Sequence, residues 1–265
     1  MNSGMDNFLN SASNLLEKAP QIYDDGLAPY VKEMGKTLAL PPKLINGALL
    51  PLREWALERE YRFSEIELEL EKKLMNTDPN KITTPELHIA IPAIQAISYS
   101  MNNEELRNLY ANLLAKSMNS DTKDSVHPSF VEIIKQLSPL DAKIFKHLCM
   151  DFLNQANPIV NLRQLDKTTG GGVTVVRNLT LLNLATTEDI ALSIDNLERL
   201  KLIEIPIFGS YTNEDLYTPF ESLEITQKLK VAFDQFEHLE LDIDKKTINI
   251  TDLGYIFHRI CVKES

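Results

Sequence analysis

Cysteine, glycine, positive charge and long apolar runs are all scarce in this 265-residue chain, and each scarcity excludes a class of protein. The two cysteines, Cys149 and Cys261, sit in apolar helical contexts with no partner at metal-ligand spacing. The expected state is two buried thiols in a reducing compartment, with no disulfide framework and no zinc site. Three of the nine glycines are consecutive, Gly170-Gly171-Gly172. They do not make a phosphate loop: the G-x-x-x-x-G-K-[ST] order is missing, and Lys167 precedes the glycines where that motif needs a lysine after them. A loop or tight turn is the expected role. No run of about eighteen apolar residues passes without a charge, so no transmembrane helix is expected. The N-terminus MNSGMDNFLNSAS has neither a basic region nor a long apolar stretch, which argues against a signal peptide and for a cytoplasmic location.

Lys and Arg number 27 against 38 Asp and Glu, a net charge of −11. That sign opposes nucleic acid and anionic membranes. Catalytic patterns are lacking as well. None of His88, His127, His147, His238 and His258 forms H-E-x-x-H, and no G-x-S-x-G occurs. The residues therefore point to no enzyme, no cofactor and no metal.

What is present is helical periodicity. Phe8, Leu9, Leu15 and Leu16 suit a short amphipathic helix, which Asp24-Asp25-Gly26 breaks, and a second piece ends at Pro41-Pro42. The window 43–57, KLINGALLPLREWAL, is the most apolar of the N-terminal third. Its Leu44, Leu49, Leu50 and the single Trp55 suit packing against a partner or the core. An interfacial membrane helix is the alternative reading. Arg53–Met75 reads as a long charged helix burying Trp55, Ala56, Phe63, Ile66, Leu70 and Leu74, with its glutamates on the solvated face. Glu86–Ser100 follows as a densely apolar helix kinked or stopped at Pro92.

The chain is best punctuated over Asn103–Leu148. Leu106, Leu109, Tyr110, Leu113, Leu114 and Met118 make one apolar face, with Asn102 or Asn103 as N-cap and Glu104 and Glu105 at the positive end of the helix dipole. The polar run Asn119–Ser125 forces a loop. Beyond it, Ser129 and Glu132 have capping-box spacing, and Ser138-Pro139-Leu140-Asp141 repeats the device at a corner between two helices. Asp121, Asp124 and His127 gather at the loop. They could form an acid–base pair, although a histidine there more often bonds the loop itself.

The order EELRNLYANLLAKSM, an Asp-containing loop, then HPSFVEIIKQLSPLDAKI resembles the core of the bacterial abortive infection alpha (Abi-alpha) family, a domain of unknown function. The resemblance spans about 50–260 and is strongest over 84–148. It implies a role in phage defence and carries no catalytic residue.

After Leu140–Leu153 the pattern suggests a short helix at Asn161–Asp166, a third over Thr187–Leu200 capped by Thr187, strands at Leu202–Phe208 and Thr247–Thr251, and a closing helix Asp252–Val262. That order resembles a winged helix-turn-helix whose enlarged wing, 209–246, holds a helix near Leu223–Glu237. Its third helix sets Glu188, Asp189, Asp195 and Glu198 against Arg199 alone, so protein contact suits it better than DNA.

The expected fold is thus mainly α: an N-terminal extension (1–50), a central helical core (51–137) and a winged-helix-like domain (138–265) with a small antiparallel β element. The expected function is non-enzymatic phage defence through a protein partner or self-assembly. Leu44, Leu49, Leu50, Trp55, Asp121, Asp124 and His127 are the candidate binding residues. A membrane effector using 43–57 and a DNA-binding regulator are the alternatives.

Overall fold

The computed structural model describes residues 63–100, 102–150 and 156–263. They form two units, one running to Lys135 and taking back the chain from Arg259 onward, the other Gln136–His258.

The first unit is helical. Helix α1 (Phe63–Leu74) buries Ile66, Leu70 and Leu74, a stripe at four-residue spacing on the side the periodicity predicts. The other residues expected on that face, Trp55 and Ala56, lie outside the described residues. Helix α2 (Leu87–Ser100) runs through Pro92 instead of stopping there. The missing amide forfeits one bond to the first turn, while Ile89, Ala90, Ala93, Ile94 and Ile97 are all buried around it and hold the helix in place. In helix α3 (Glu104–Ser117) the N-cap is Asn103, whose Oδ1 accepts the Leu106 amide at 3.0 Å. Helix α4 (Ser129–Lys135) contributes Phe130, Val131, Ile133 and Ile134 to the core.

The returning tail is tied in by a buried bond. Asn112 Nδ2 of α3 donates to the Cys261 carbonyl at 2.8 Å, across 149 residues of sequence. Asn112→Ala leaves that carbonyl without its donor and opens a small gap. A loss of about 1–2 kcal/mol is expected in equilibrium urea unfolding, and an unchanged midpoint would show that water replaces the bond.

The second unit mixes helix and sheet. Helix α5 (Pro139–Met150) opens with the predicted reciprocal cap: Ser138 N–H donates to Asp141 Oδ2 at 2.7 Å, and Asp141 N–H to Ser138 Oγ at 3.1 Å. The short helix expected at Asn161–Asp166 is instead strand β1 (Pro158–Asp166), which pairs antiparallel with β2 (Gly172–Leu179) and with β4 (Leu239–Thr247). The sheet order is β2-β1-β4. Leu162 and Leu165 imitate helical spacing, but a central strand hydrogen-bonded on both sides outweighs two leucines in a six-residue window. Gly170-Gly171-Gly172 does form a turn, joining strands rather than helices, with Gly170 at φ +69° where a side chain would be strained.

Both sheet edges are guarded. Register shifts interrupt β2 twice, and β4 alternates Glu240, Asp242 and Asp244 with its apolar residues. Val160, Leu162 and Leu179 on one face pack against Tyr217 and Phe220. Phe220 lies on the short helix α7 (Thr218–Glu221), and helix α8 (Glu224–Phe233) supplies the helix expected near 223–237.

Helix α6 (Thr187–Arg199) is capped by Thr186, one residue earlier than expected: its side chain accepts the Asp189 amide at 3.2 Å. Strand β3 (Ile203–Glu204) pairs antiparallel with β5 (Asn249–Ile250), so the two predicted strands do meet, over a shorter span. Pro206 lacks an amide donor and ends one of them, and Thr247 belongs to β4 on the other. Helix α9 (Asp252–Phe257) closes the unit, its Phe257 meeting Phe145 of α5 edge-on with centroids 5.8 Å apart, and continues as a π-helical turn, His258–Val262. Among the described residues the architecture is therefore helical with a small antiparallel β component. The helix-helix-helix order of a winged helix is not what lies between α5 and α6, where a β-hairpin stands.

Candidate functional site

The loop after α3 is built from local bonds. Asn119 Oδ1 accepts the Asp121 amide at 2.9 Å, and Thr122 Oγ1 donates to the Lys116 carbonyl at 2.7 Å. The loop is pinned to the segment before α2 by Ser120 N–H to the Lys81 carbonyl at 2.8 Å and Thr83 N–H to the Met118 carbonyl at 2.9 Å. That pinning places Lys81 Nζ 2.6 Å from Asp121 Oδ2, and the carboxylate raises the lysine's pKa through their hydrogen bond. Both groups are exposed, so water and salt screen the pair.

His127 has a different role. Its Nδ1 accepts the Ser129 amide at 3.1 Å and lies 2.7 Å from Ser129 Oγ, which closes the start of α4. The ring also tilts against Phe130, with centroids 6.2 Å apart. Asp124 sits in the 3-10 turn Lys123–Ser125, and neighbouring Ser125 Oγ accepts from Arg259 Nη2 at 3.2 Å. Among the described residues no hydrogen bond or ion pair joins any two of Asp121, Asp124 and His127: one holds Lys81, another caps a helix. Leu44, Leu49, Leu50 and Trp55 lie outside the described residues.

The two thiols are buried as expected. Burial pushes Cys149 up to about 12 and Cys261 well above the usual thiol value. Among the described residues no group of three or more His, Cys, Asp or Glu is placed to hold a metal ion. No described helix is long and apolar enough to cross a membrane.

Among the described residues the most conspicuous surface feature lies where sequence reasoning placed only a strand. Past Pro206 the chain carries Ile207 and Phe208, 80% and 90% exposed, up to Gly209 at φ +127°. Lys246 Nζ donates to the Ile207 carbonyl at 3.4 Å from strand β4. A second apolar surface in the same unit is a cleft of about 590 Å³ between the loop after β2 and the starts of α6 and α8, lined by Leu181, Leu182, Ile190, Leu223 and Ile225. Proline inside the apolar run LIEIPIF was the available signal: it stops the ladder and leaves the next two apolar side chains without a sheet to join.

A family model described as abortive infection alpha matches residues 58–261, most of the chain. No curated protein and no solved structure matches it.

Proposed function

The chain belongs to the abortive infection alpha family, and from that premise we propose that it is a cytoplasmic phage-defence protein that acts without catalysis, by binding another protein or a second copy of itself. The observation that carries the binding part is the Ile207–Phe208 pair. Two adjacent large apolar side chains, 80% and 90% exposed, forgo burial that a partner surface would supply at about 1.5–3 kcal/mol each. The pair sits on a loop that follows β3 and is tied to β4 by the Lys246 contact. The engagement of Asp121 with Lys81 and of His127 with Ser129 supports a non-catalytic reading, since a general base must be within reach of the proton it takes.

The test is phage plating on cells carrying the full chain. The double variant Ile207→Ser/Phe208→Ser should lose protection at least tenfold while its unfolding free energy stays within the range of ordinary surface substitutions, about 0.5 kcal/mol. Size-exclusion light scattering on the same proteins separates a lost self-association from a lost partner. Full protection by the double variant would remove this surface from the mechanism.

A further inference from the structure

Helices α5 and α6 of the second unit turn oppositely charged faces outward. In α5, Ala142, Ile144, Phe145, Leu148 and Cys149 are buried, and so is its one carboxylate, Asp141. The stripe left outside, at helical spacing, is Lys143, Lys146, His147 and Met150, the last of them 70% exposed. In α6, Ile190, Ser193, Ile194 and Leu197 go inward. Its outward stripe runs Glu188, Leu192, Asp195, with Asp189 beside it, and Leu192 is 69% exposed among those three carboxylates.

The acidic stripe has no cation of its own to answer it. Asp189 accepts from Thr186 Oγ1 at 2.8 Å and Asp195 from Asn178 Nδ2 at 2.7 Å, both neutral donors. Arg199 is held by Asn196 and Gln136. Among the described residues the side chains of Lys146 and Glu188 take part in no hydrogen bond or ion pair. Between the start of α5 and α6 lies a cleft of about 510 Å³, lined by Leu140, Leu192, Asp189 and Asp195. Asp141 and Arg199 line it too, but both are engaged by the Asn196 network. Apolar walls with carboxylates between them suit a side chain that is apolar along its stem and positive at its end, as lysine is.

We propose that the occupant of this surface is a second copy of the chain. A two-fold axis sets the basic stripe of each α5 against the acidic stripe of the other copy's α6. Lys146 and Met150 of one copy then meet Glu188, Leu192 and Asp195 of the other. Charge complementarity decides the occupant, since each stripe carries what the other lacks. Within one chain both stripes stay exposed, so a second molecule is needed to bring them together. An isologous contact uses every pair twice, which lets surface pairs that are weak singly act in sum. The surface shares no residue with Ile207–Phe208, and the inference stands or falls apart from that pair.

Sedimentation velocity on the full chain should show a concentration-dependent monomer–dimer equilibrium. In about 0.15 M salt the Debye length of about 8 Å screens repulsion between two copies of charge −11, while pairs in contact still attract. Lys146→Glu sets carboxylate against carboxylate and should weaken the dimer about tenfold or more. Glu188→Lys/Asp195→Lys should do the same from the other side. Mixed in equal amounts, the two variants should associate about as tightly as the unaltered chain, because each reversed stripe then faces its opposite. Circular dichroism checks the fold of each variant. Glu188→Lys alone, which removes no hydrogen bond, takes the place of the double variant if that one unfolds. A chain that stays monomeric, a dimer that Lys146→Glu leaves intact, or folded variants whose mixture stays monomeric would each overturn the proposal. Ile207→Ser/Phe208→Ser should keep the dimer. If that variant alone dissociates it, self-association belongs to the Ile207–Phe208 loop and the contact between α5 and α6 is wrong.

Discussion

Replacing Gly254 with alanine lowers the stability of the second unit by about 3 kcal/mol or more. A Cβ built there meets the Leu202 carbonyl oxygen at 2.0 Å and its carbon at 2.9 Å, with Ile250 Cγ2 at 3.0 Å. The obstruction is mainly backbone, and this backbone is held. Leu202 O accepts the Thr251 amide at 3.2 Å, and Ile203 next to it pairs with Ile250 in the two-stranded sheet. Thr251 also caps α9 by accepting the Gly254 amide at 2.9 Å. Relieving the clash therefore means parting β3 from β5 or tearing the cap from α9, and either loosens Phe257 from Phe145. Urea unfolding followed by circular dichroism reads the loss. Gly170→Ala is the comparison: its φ of +69° is strained for alanine, yet nothing lies within 4 Å, so about 1 kcal/mol is expected. Equal losses for the two variants would mean that the close approach at Gly254 relaxes without cost.

Asp141→Ala is expected to cost about 3 kcal/mol. The residue is only 3% exposed, and its Oδ2 serves two donors, the Ser138 amide at 2.7 Å and Asn196 Nδ2 at 2.8 Å. Asn196 in turn donates to the Gln136 carbonyl at 2.9 Å and accepts from Arg199 Nη2 at 2.7 Å, while Arg199 Nη1 reaches Gln136 Oε1 at 3.0 Å. One carboxylate thus caps α5 and ties α6 to the corner before it. Alanine removes the carboxylate from both donors at once. A double-mutant cycle with Asn196→Ala should return a coupling of about 1 kcal/mol or more, and additivity within 0.5 kcal/mol would show the two residues to act independently. The network also gives Arg199, the only cation of α6, a structural role.

Both effects bear on what could be read in advance. The Ser138–Asp141 cap was legible because a capping box is a local device with its own spacing, and the structure shows it bond for bond. That the same carboxylate would hold Asn196, 55 residues on, was not, since no local pattern specifies a distant partner. The hairpin was missed although signals existed: Val173, Val175 and Val176 after a glycine turn, and the alternation of Leu239, Leu241 and Ile243 with Glu240, Asp242 and Asp244. They lost to a helix reading of Asn161–Asp166 and to the expectation of a wing. Among the candidate site residues, Asp121 and His127 were placed at the right loop, but their side chains turn to Lys81 and Ser129.

The amino-acid sequence by itself determined the helical stripes of α1 and α3, an asparagine cap at 102 or 103, the cap at Ser138, and the buried state of both cysteines. All of these follow from periodicity or composition within one or two turns of chain. Tertiary structure alone decided that Pro158–Asp166 is a central strand, that Asn112 anchors the tail, that Gly254 touches Leu202, and that Lys81 meets Asp121. Each depends on segments far apart in sequence. The free energy that settles them comes from strand pairing, close packing and charge meeting in space, which no local pattern records.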